Sequence, residues 1–254
     1  MKQKGYIKKD EQNWYFEFYK SSQTAPTLIL LHEGLGSVAQ WKDWPLQLMA
    51  DLNMNILLYD RSGYGKSSLV PSNYPIDYPK HEAKHVLPYI MDHLNISKAH
   101  LFGHSDGASI ALFAAAYYPD RVLSVISIAA HVIIEKISRE GIKKTKEIYQ
   151  IKLKELLEKY HAEKTDWVFY HWADTWLQPN FRNWNMLEEL KKIKSPVLAI
   201  QGDQDNYGSL EQLKLIEQYS SASISVLKDC GHQPHKEKPQ ELKSQIKQFY
   251  QEIS

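Results

Sequence analysis

The sequence predicts an α/β protein built on a mostly parallel β-sheet with helices on both faces. Along most of the 254-residue chain, short apolar runs alternate with segments that have the 3.6-residue period of helices. Several of these runs are apolar throughout, which is typical of strands covered on both faces. Such alternation favours right-handed crossovers and a ligand site beyond the carboxyl ends of the strands.

The same patterns place the individual elements. Residues 5–19 alternate polar with aromatic or apolar side chains, which predicts antiparallel strands at the edge of the sheet. The later strands are predicted at residues 27–31, 55–59, 98–102, 123–128, 196–200 and 223–227. Helical periodicity predicts helices near residues 38–52, 79–93, 106–118, 208–219 and 237–252.

One interval, residues 131–190, contains no strand-like run and is predicted to be a helical insertion. The core is then formed by residues 1–130 and 191–254. Trp172 and Trp176 share one helix face at a spacing of four. Packing of the insertion onto the sheet would explain either tryptophan alone. As part of an aromatic-rich stretch, the two predict an apolar roof over a pocket and are candidate substrate-binding residues.

Composition limits the classes of partner. The 31 Lys and Arg residues nearly balance the 30 Asp and Glu residues, which argues against a nucleic-acid partner and favours a small-molecule substrate. The single cysteine, Cys230, cannot form an internal disulfide and fits a reducing compartment. The amino terminus lacks the apolar segment of a signal peptide, and no run of eighteen apolar residues is present. We expect a cytoplasmic protein that does not associate with membranes.

The segment Gly103-His104-Ser105-Asp106-Gly107 lies between a predicted strand and a predicted helix. Two glycines flank Ser105 at minus two and plus two, where the absence of a Cβ lets the strand and helix backbones pass closely. This G-x-S-x-G pattern in this context predicts a sharp turn that exposes the Ser105 hydroxyl as a nucleophile. The alternative is a serine that only caps a helix after a glycine turn.

A serine nucleophile needs a base and a group that orients the base, here expected in the chain order Ser, Asp or Glu, His. Asp205 lies a few residues beyond the predicted strand 196–200 and is the candidate acid, whereas Asp203 is expected to hydrogen-bond the turn. His232 follows the last predicted strand and is the candidate base. His235 is expected on the surface or in a loop. A metal site formed by His232 and His235 is the alternative, but two histidines three apart without further ligands support it weakly.

The tetrahedral intermediate of acyl transfer also needs donors for its developing negative charge. The segment His32-Glu33-Gly34-Leu35-Gly36 follows the first buried strand, and its glycines allow the backbone to turn its amides toward the serine. We therefore expect the amides of Gly34 and Asp106 to form an oxyanion hole. The second amide lies at a helix N-terminus, which favours anions. For the segment that contains Gly34, the alternative is a glycine-rich turn that binds no ligand.

A second motif, Gly65-Lys66-Ser67, has the end of a phosphate-binding loop after an apolar strand. That loop requires a glycine five residues before Gly65, and Asp60 stands there. The sequence therefore argues against nucleotide binding at this segment.

Taken together, these motifs resemble the α/β-hydrolase superfamily over nearly the whole chain. The matching segments are residues 32–36, 60–67, 103–107, 202–205 and 231–232. The resemblance implies an eight-stranded sheet with a helical cap after the sixth strand, and a triad of Ser105, Asp205 and His232. Two positions depart from the common pattern. Glu33 stands where the family often has glycine, and Asp106 stands where it often has an apolar or small residue.

The sequence thus predicts a cofactor-independent serine hydrolase that acts on a small carboxylic ester or lactone through an acyl-enzyme on Ser105. Because the elbow is similar to that of hydrolases of amino-acid esters, Asp106 would on one hypothesis bind a substrate ammonium group. On the other, it stabilises its own helix or pairs with a neighbouring base. A carbon-carbon bond hydrolase and a non-catalytic small-molecule binding protein are further alternatives.

Overall fold

The computed structural model describes residues 1–70 and 74–253, and these contain one eight-stranded sheet. The strands are β1 (Lys2–Lys9), β2 (Gln12–Tyr19), β3 (Thr27–Leu31), β4 (Asn55–Tyr59), β5 (Ala99–His104), β6 (Val122–Ile128), β7 (Val197–Gly202) and β8 (Ser223–Leu227). Their spatial order is β1-β2-β4-β3-β5-β6-β7-β8. Pairing is antiparallel from β1 to β2 and from β2 to β4, and parallel elsewhere. The predicted fold class and the predicted antiparallel start are confirmed.

The helices of the core lie between these strands. They are α1 (Trp44–Leu52), α2 (Tyr78–His81), α3 (Leu87–His93) and α4 (Asp106–Tyr117) in the first half of the chain. After the insertion follow α9 (Glu211–Ser220), α10 (Pro234–Glu237) and α11 (Pro239–Glu252). A 3₁₀ turn at Val38–Trp41 precedes α1, and a π-helical turn at Glu82–Val86 joins α2 to α3.

The apolar core lies on the two faces of the sheet, because alternate residues of a strand point in opposite directions. Ile29 and Leu101 belong to a cluster that contains the apolar side chains of α3, α4 and α9. Leu28 and Phe102 belong to a second cluster with those of α1 and α11. The central strands are therefore buried on both sides, as their unbroken apolar sequence predicts.

Between β6 and β7 the described chain is mainly helical. The insertion comprises α5 (Lys136–Ile148), α6 (Lys154–His161), α7 (Thr165–Leu177) and α8 (Leu187–Leu190). A π-helical turn at Tyr149–Leu153 and 3₁₀ turns at Ala162–Lys164 and Pro179–Phe181 connect them. Its own apolar cluster is formed mainly by aromatic rings, including those of Phe169, Trp172 and Trp176. Trp172 and Trp176 of this cluster line the same cavity as Ser105, which follows β5.

Of the helices that the structure describes, none combines the length and the apolar character that crossing a membrane would require.

Candidate active site

Ser105 occupies a sharp turn between β5 and α4. Its backbone has φ 54° and ψ −119°, a conformation that residues other than glycine adopt only at an energetic cost. A Cβ on Gly103 would lie 2.2 Å from the carbonyl oxygen of Gly107, and a Cβ on Gly107 would lie 2.0 Å from that of Leu31. Both glycines are therefore required by close backbone approach, as the sequence predicts.

Three side chains from separate loops meet at this turn. His232 Nε2 lies 3.0 Å from the Ser105 Oγ atom, so the serine hydroxyl can donate to the imidazole. On the opposite edge of the ring, Nδ1–H donates to both carboxylate oxygens of Asp205, at 2.9 and 2.8 Å. The structure therefore brings together all three residues of the predicted triad, which lie after β5, β7 and β8.

The Asp205 carboxylate is buried and held by further donors. The main-chain amides of Tyr207 and Gly208 donate to Oδ1 at 2.8 and 3.3 Å, and the Gln201 amide donates to Oδ2 at 3.3 Å. Burial alone would raise the pKa of Asp205, but the hydrogen bond and charge of His232 outweigh it and hold the pKa below its usual value. Asp205 is thus an anion that fixes the orientation of His232.

The structure agrees with the prediction for Asp203 but not with the prediction for His235. Asp203 accepts a hydrogen bond from the main-chain amide of Cys230 at 3.4 Å, which agrees with the turn role predicted for it. The prediction that His235 lies on the surface or in a loop is wrong. His235 belongs to α10, is buried, and packs its ring against Trp41 and His104. Burial lowers the pKa of His235 to about 2, so its imidazole is neutral.

The loop after β3 presents the Gly34 amide in a defined direction. The carbonyl oxygen of Glu33 accepts hydrogen bonds from His32 Nδ1–H and from Arg61 Nη2, both at 2.8 Å. In a trans peptide the carbonyl and the following N–H point in opposite directions, so the Gly34 N–H points away from His32 and Arg61. A Cβ on Gly34 would lie 2.4 Å from the Trp172 indole, which explains the glycine.

Asp106 is the first residue of α4, so its amide is one of the helix N–H groups that have no intrahelical acceptor. Its carboxylate is buried. Oδ2 accepts a short hydrogen bond from the Tyr78 hydroxyl and lies 3.5 Å from Arg61 Nη2. Trp176 of the insertion donates its indole N–H to the same Tyr78 hydroxyl at 2.8 Å. This geometry favours pairing of Asp106 with a neighbouring base over the ammonium-binding hypothesis.

A small cavity of about 120 Å³ lies over Ser105. The predicted candidates Gly34, Asp106, Trp172, Trp176 and His232 all line it. The remaining lining residues are Glu33, Leu35, His131, Ile142, Tyr207 and Gln233. The wall is therefore mainly apolar and aromatic on the side of the insertion, and polar on the side of the sheet.

Several of these lining residues were not predicted from the sequence. His131 follows β6, donates from Nε2 to the Tyr207 carbonyl at 3.0 Å, and has its pKa lowered by burial. Ile142 comes from α5 and Tyr207 from the loop that carries Asp205. The position of His131 directly after a parallel strand is a signal that could have found it. Tyr207 and Ile142 give no such signal.

In the Gly65-Lys66-Ser67 segment, two of the main-chain amides that a phosphate-binding loop would use already have acceptors within the protein. The Gly65 amide donates to His161 Nδ1 at 3.0 Å, and the Lys66 amide donates to Asp60 Oδ2 at 2.8 Å. Since these amides are used within the protein, the structure agrees with the argument against nucleotide binding. The described residues also contain no group of three or more His, Cys, Asp or Glu side chains that could hold a metal ion.

Comparison with known proteins finds hydrolases among the proteins that this chain resembles. A family model described as alpha/beta hydrolase fold matches residues 26–185. Proline iminopeptidase of Lactobacillus helveticus is 23% identical over 92% of this chain and 93% of that protein. A 2-hydroxy-6-oxo-6-phenylhexa-2,4-dienoate hydrolase of Comamonas testosteroni is 24% identical over 88% of this chain and 87% of that protein.

Two further similarities are a sequence match over part of the chain and a match to a solved structure. Zearalenone hydrolase of Cladophialophora bantiana is 29% identical over 46% of this chain and 42% of that protein, so this match spans less than half of either. The crystal structure of the enol-lactonase from Burkholderia xenovorans LB400 has a TM-score of 0.78 and 18% identity, covering 97% of this chain and 100% of that chain. At this identity the structural similarity establishes the fold alone.

Proposed function

This chain belongs to the α/β-hydrolase family, and we propose that it is a cofactor-independent serine hydrolase that cleaves a small carboxylic ester or lactone. The observation that carries the proposal is the continuous hydrogen-bonded series from Asp205 through His232 to Ser105. A hydroxyl is a weak nucleophile near neutral pH, and this series supplies the base and the orienting anion that it needs.

The reaction begins when Ser105 Oγ attacks the carbonyl carbon and its proton passes to His232 Nε2. The Asp205 carboxylate stabilises the resulting imidazolium, while the amides of Gly34 and Asp106 bind the negative oxygen of the tetrahedral intermediate. His232 then protonates the leaving alcohol oxygen as the carbon-oxygen bond breaks, which leaves an acyl-enzyme. In the second half a water molecule gives a proton to His232 and attacks the acyl carbon. His232 then returns this proton to Ser105 Oγ as the bond between Oγ and the acyl carbon breaks, which releases the acid.

The cavity over Ser105 supports a small substrate. Its volume of about 120 Å³ is well below the roughly 300–1,000 Å³ of sites for drug-sized ligands. Trp172 and Trp176 form its roof, so a short apolar acyl group would fit under them. Acetate and propionate esters and small lactones are therefore the substrates to assay first.

Covalent labelling tests the proposal directly. Wild-type protein is incubated with a fluorophosphonate, and the modified peptide is identified by mass spectrometry. We expect modification of Ser105, its loss in His232→Ala, and turnover of 4-nitrophenyl acetate by the unlabelled wild type. A folded wild type that is neither labelled nor active would contradict the proposal and favour a binding role.

Cleavage of aminoacyl substrates is the alternative in which Asp106 binds an ammonium group. The similarity to a proline iminopeptidase is consistent with it, but the pairing of Asp106 with Arg61 and Tyr78 argues against it. Asp106→Asn separates the two readings. A selective loss of activity toward aminoacyl esters would favour ammonium binding, whereas equal losses on aminoacyl and acetyl esters are expected from the buried pairing.

Carbon-carbon bond hydrolysis is a second candidate, favoured by the similarity to the Comamonas testosteroni enzyme over most of the chain. The same serine, base and oxyanion donors serve that reaction, so mutation of the triad cannot distinguish ester hydrolysis from carbon-carbon bond hydrolysis. Analysis of the products can distinguish them. We expect wild-type protein to release an alcohol and an acid from acetate esters and to leave 2-hydroxy-6-oxo-dienoates unchanged.

A further inference from the structure

Arg61, in the loop that follows β4, is a buried cation behind the proposed oxyanion hole. Its side chain is only 1% exposed. Its main-chain amide donates to His32 Nε2 at 3.1 Å, and the ring of Tyr64 lies 4.3 Å from its guanidinium carbon. Burying a charge is costly unless the charge is paired or hydrogen-bonded. The partners of this guanidinium therefore indicate why it lies there.

Its Nη2 atom contacts both segments that carry the proposed oxyanion donors. It donates to the Glu33 carbonyl at 2.8 Å, and it lies 3.5 Å from Asp106 Oδ2. The first contact holds the peptide group whose N–H belongs to Gly34. The second holds the side chain of the residue whose amide is the other donor. One nitrogen atom thus links the loop after β3 to the first turn of α4.

We propose that Arg61 is a positioning residue for the oxyanion hole, which fixes the directions of the Gly34 and Asp106 amides relative to Ser105. The inference rests on the proposed function, since it concerns the negative oxygen that forms during attack by Ser105. The guanidinium also places a positive charge behind these two donors, in a buried region where charges interact more strongly than in water.

The charge of Asp106 complicates a simple deletion. Arg61→Met removes the donor and also leaves the Asp106 carboxylate without its cation, close to the site where negative charge develops. An uncompensated buried charge would destabilise the protein and repel the oxyanion, whatever Arg61 itself does. The variant Arg61→Met with Asp106→Asn removes both charges and keeps both main-chain amides, so it separates positioning from charge balance.

The test compares wild type, Arg61→Met, Asp106→Asn and the double variant by three measurements. These are kcat and KM for 4-nitrophenyl acetate, the rate of Ser105 labelling by a fluorophosphonate, and the midpoint of urea unfolding. We expect the double variant to recover stability relative to Arg61→Met. Its kcat and labelling rate should stay roughly 10- to 100-fold below those of Asp106→Asn, with KM little changed, because misdirected donors weaken binding of the transition state.

Two results would overturn the inference, and they are distinguishable. If the double variant matches Asp106→Asn in kcat and labelling rate, Arg61 only balances the charge of Asp106, and the proposed function stands. If wild-type protein itself shows no labelling and no turnover, the proposed function fails and the inference with it. Should Arg61→Met not fold, the comparison of the double variant with Asp106→Asn decides alone, because the double variant leaves no unpaired buried carboxylate.

Discussion

The Oγ atom of Ser105 lies 3.0 Å from Nε2 of His232, although 127 positions separate the two residues in the chain. The fold produces this contact because β5 and β8 run in the same direction in one sheet, and the loops at their carboxyl ends meet at the same edge. Ser105 reaches it from a strained turn and His232 from a loop held by Asp205. The predictions below follow from this contact and from the groups around it.

Removal of either the Ser105 hydroxyl or the His232 imidazole should abolish most turnover. For Ser105→Ala and for His232→Ala we expect kcat for 4-nitrophenyl acetate to fall by about 10⁴- to 10⁶-fold, because each leaves the other without its reaction partner. The double variant should be no slower than the slower single variant. Steady-state assays with circular dichroism as a folding control measure this. Independent, multiplicative losses would show that the two residues do not act together.

Asp205→Asn tests the orienting anion separately from the base. The asparagine keeps the size of the side chain but can turn its NH₂ group toward Nδ1, which would favour the imidazole tautomer with the proton on Nε2. We expect kcat to fall by roughly 10³- to 10⁴-fold with KM little changed. Asp203→Asn is the matched control, because Asp203 lies two residues away and contacts the Cys230 amide instead. Equal losses in the two variants would contradict the assignment of Asp205.

The fold and the meeting of Ser105, Asp205 and His232 at one end of the sheet could be predicted because they depend on local pattern and on chain order. Unbroken apolar runs indicated the buried strands, and the spacing of Gly103 and Gly107 around Ser105 indicated the turn. Since parallel strands end at one edge of the sheet, residues after consecutive strands are expected to be neighbours. These inferences needed no knowledge of how the side chains pack.

The contacts of Asp106 could not be predicted in the same way. Its partner Arg61 comes from the loop after β4 and its partner Tyr78 from the start of α2, and Trp176 contacts Tyr78 from the insertion. No spacing in the sequence relates these residues, because their contacts depend on how the insertion packs over the sheet. The burial of His235 was missed for a similar reason. A histidine in a polar segment is expected to be exposed. His235 instead lies in the short helix α10, and its ring packs against Trp41.

Ile142 is expected to limit the length of the acyl group. It is buried and extends from α5 to the cavity over Ser105. Ile142→Ala should increase kcat/KM for 4-nitrophenyl hexanoate relative to acetate, because the shorter side chain enlarges the cavity. The cost in stability should be about 2–5 kcal/mol, as for other large-to-small core changes. The ratio of the two kcat/KM values, measured on folded protein, checks the prediction.

Ile148→Ala is the control for this experiment. Ile148 ends the same helix, is 39% exposed and does not line the cavity. The acyl-length preference of this variant should equal that of wild type. If Ile142→Ala also leaves the preference unchanged, a different wall of the cavity determines which acyl groups bind.

His161 is expected to make stability dependent on pH in the acid range. It is buried in α6, its Nδ1 accepts from the Gly65 amide at 3.0 Å, and its Nε2–H donates to the Leu35 carbonyl at 3.1 Å. A protonated imidazole could not accept at Nδ1. Burial lowers the pKa of His161 to about 4, against about 6.5 in the unfolded chain. Between about pH 6.5 and pH 4 the unfolded state therefore binds a proton that the folded state does not, so stability falls as pH falls through this range.

The contribution of His161 can be isolated with His161→Asn, whose amide oxygen can still accept from Gly65 but does not titrate. Between pH 7 and pH 5 the unfolding free energy of wild type should fall by about 1 to 2 kcal/mol more than that of the variant. Urea unfolding at several pH values measures the difference. His85→Asn, at an exposed histidine, should follow the wild-type curve. Parallel curves for wild type and His161→Asn would show that His161 is protonated alike in the folded and unfolded states.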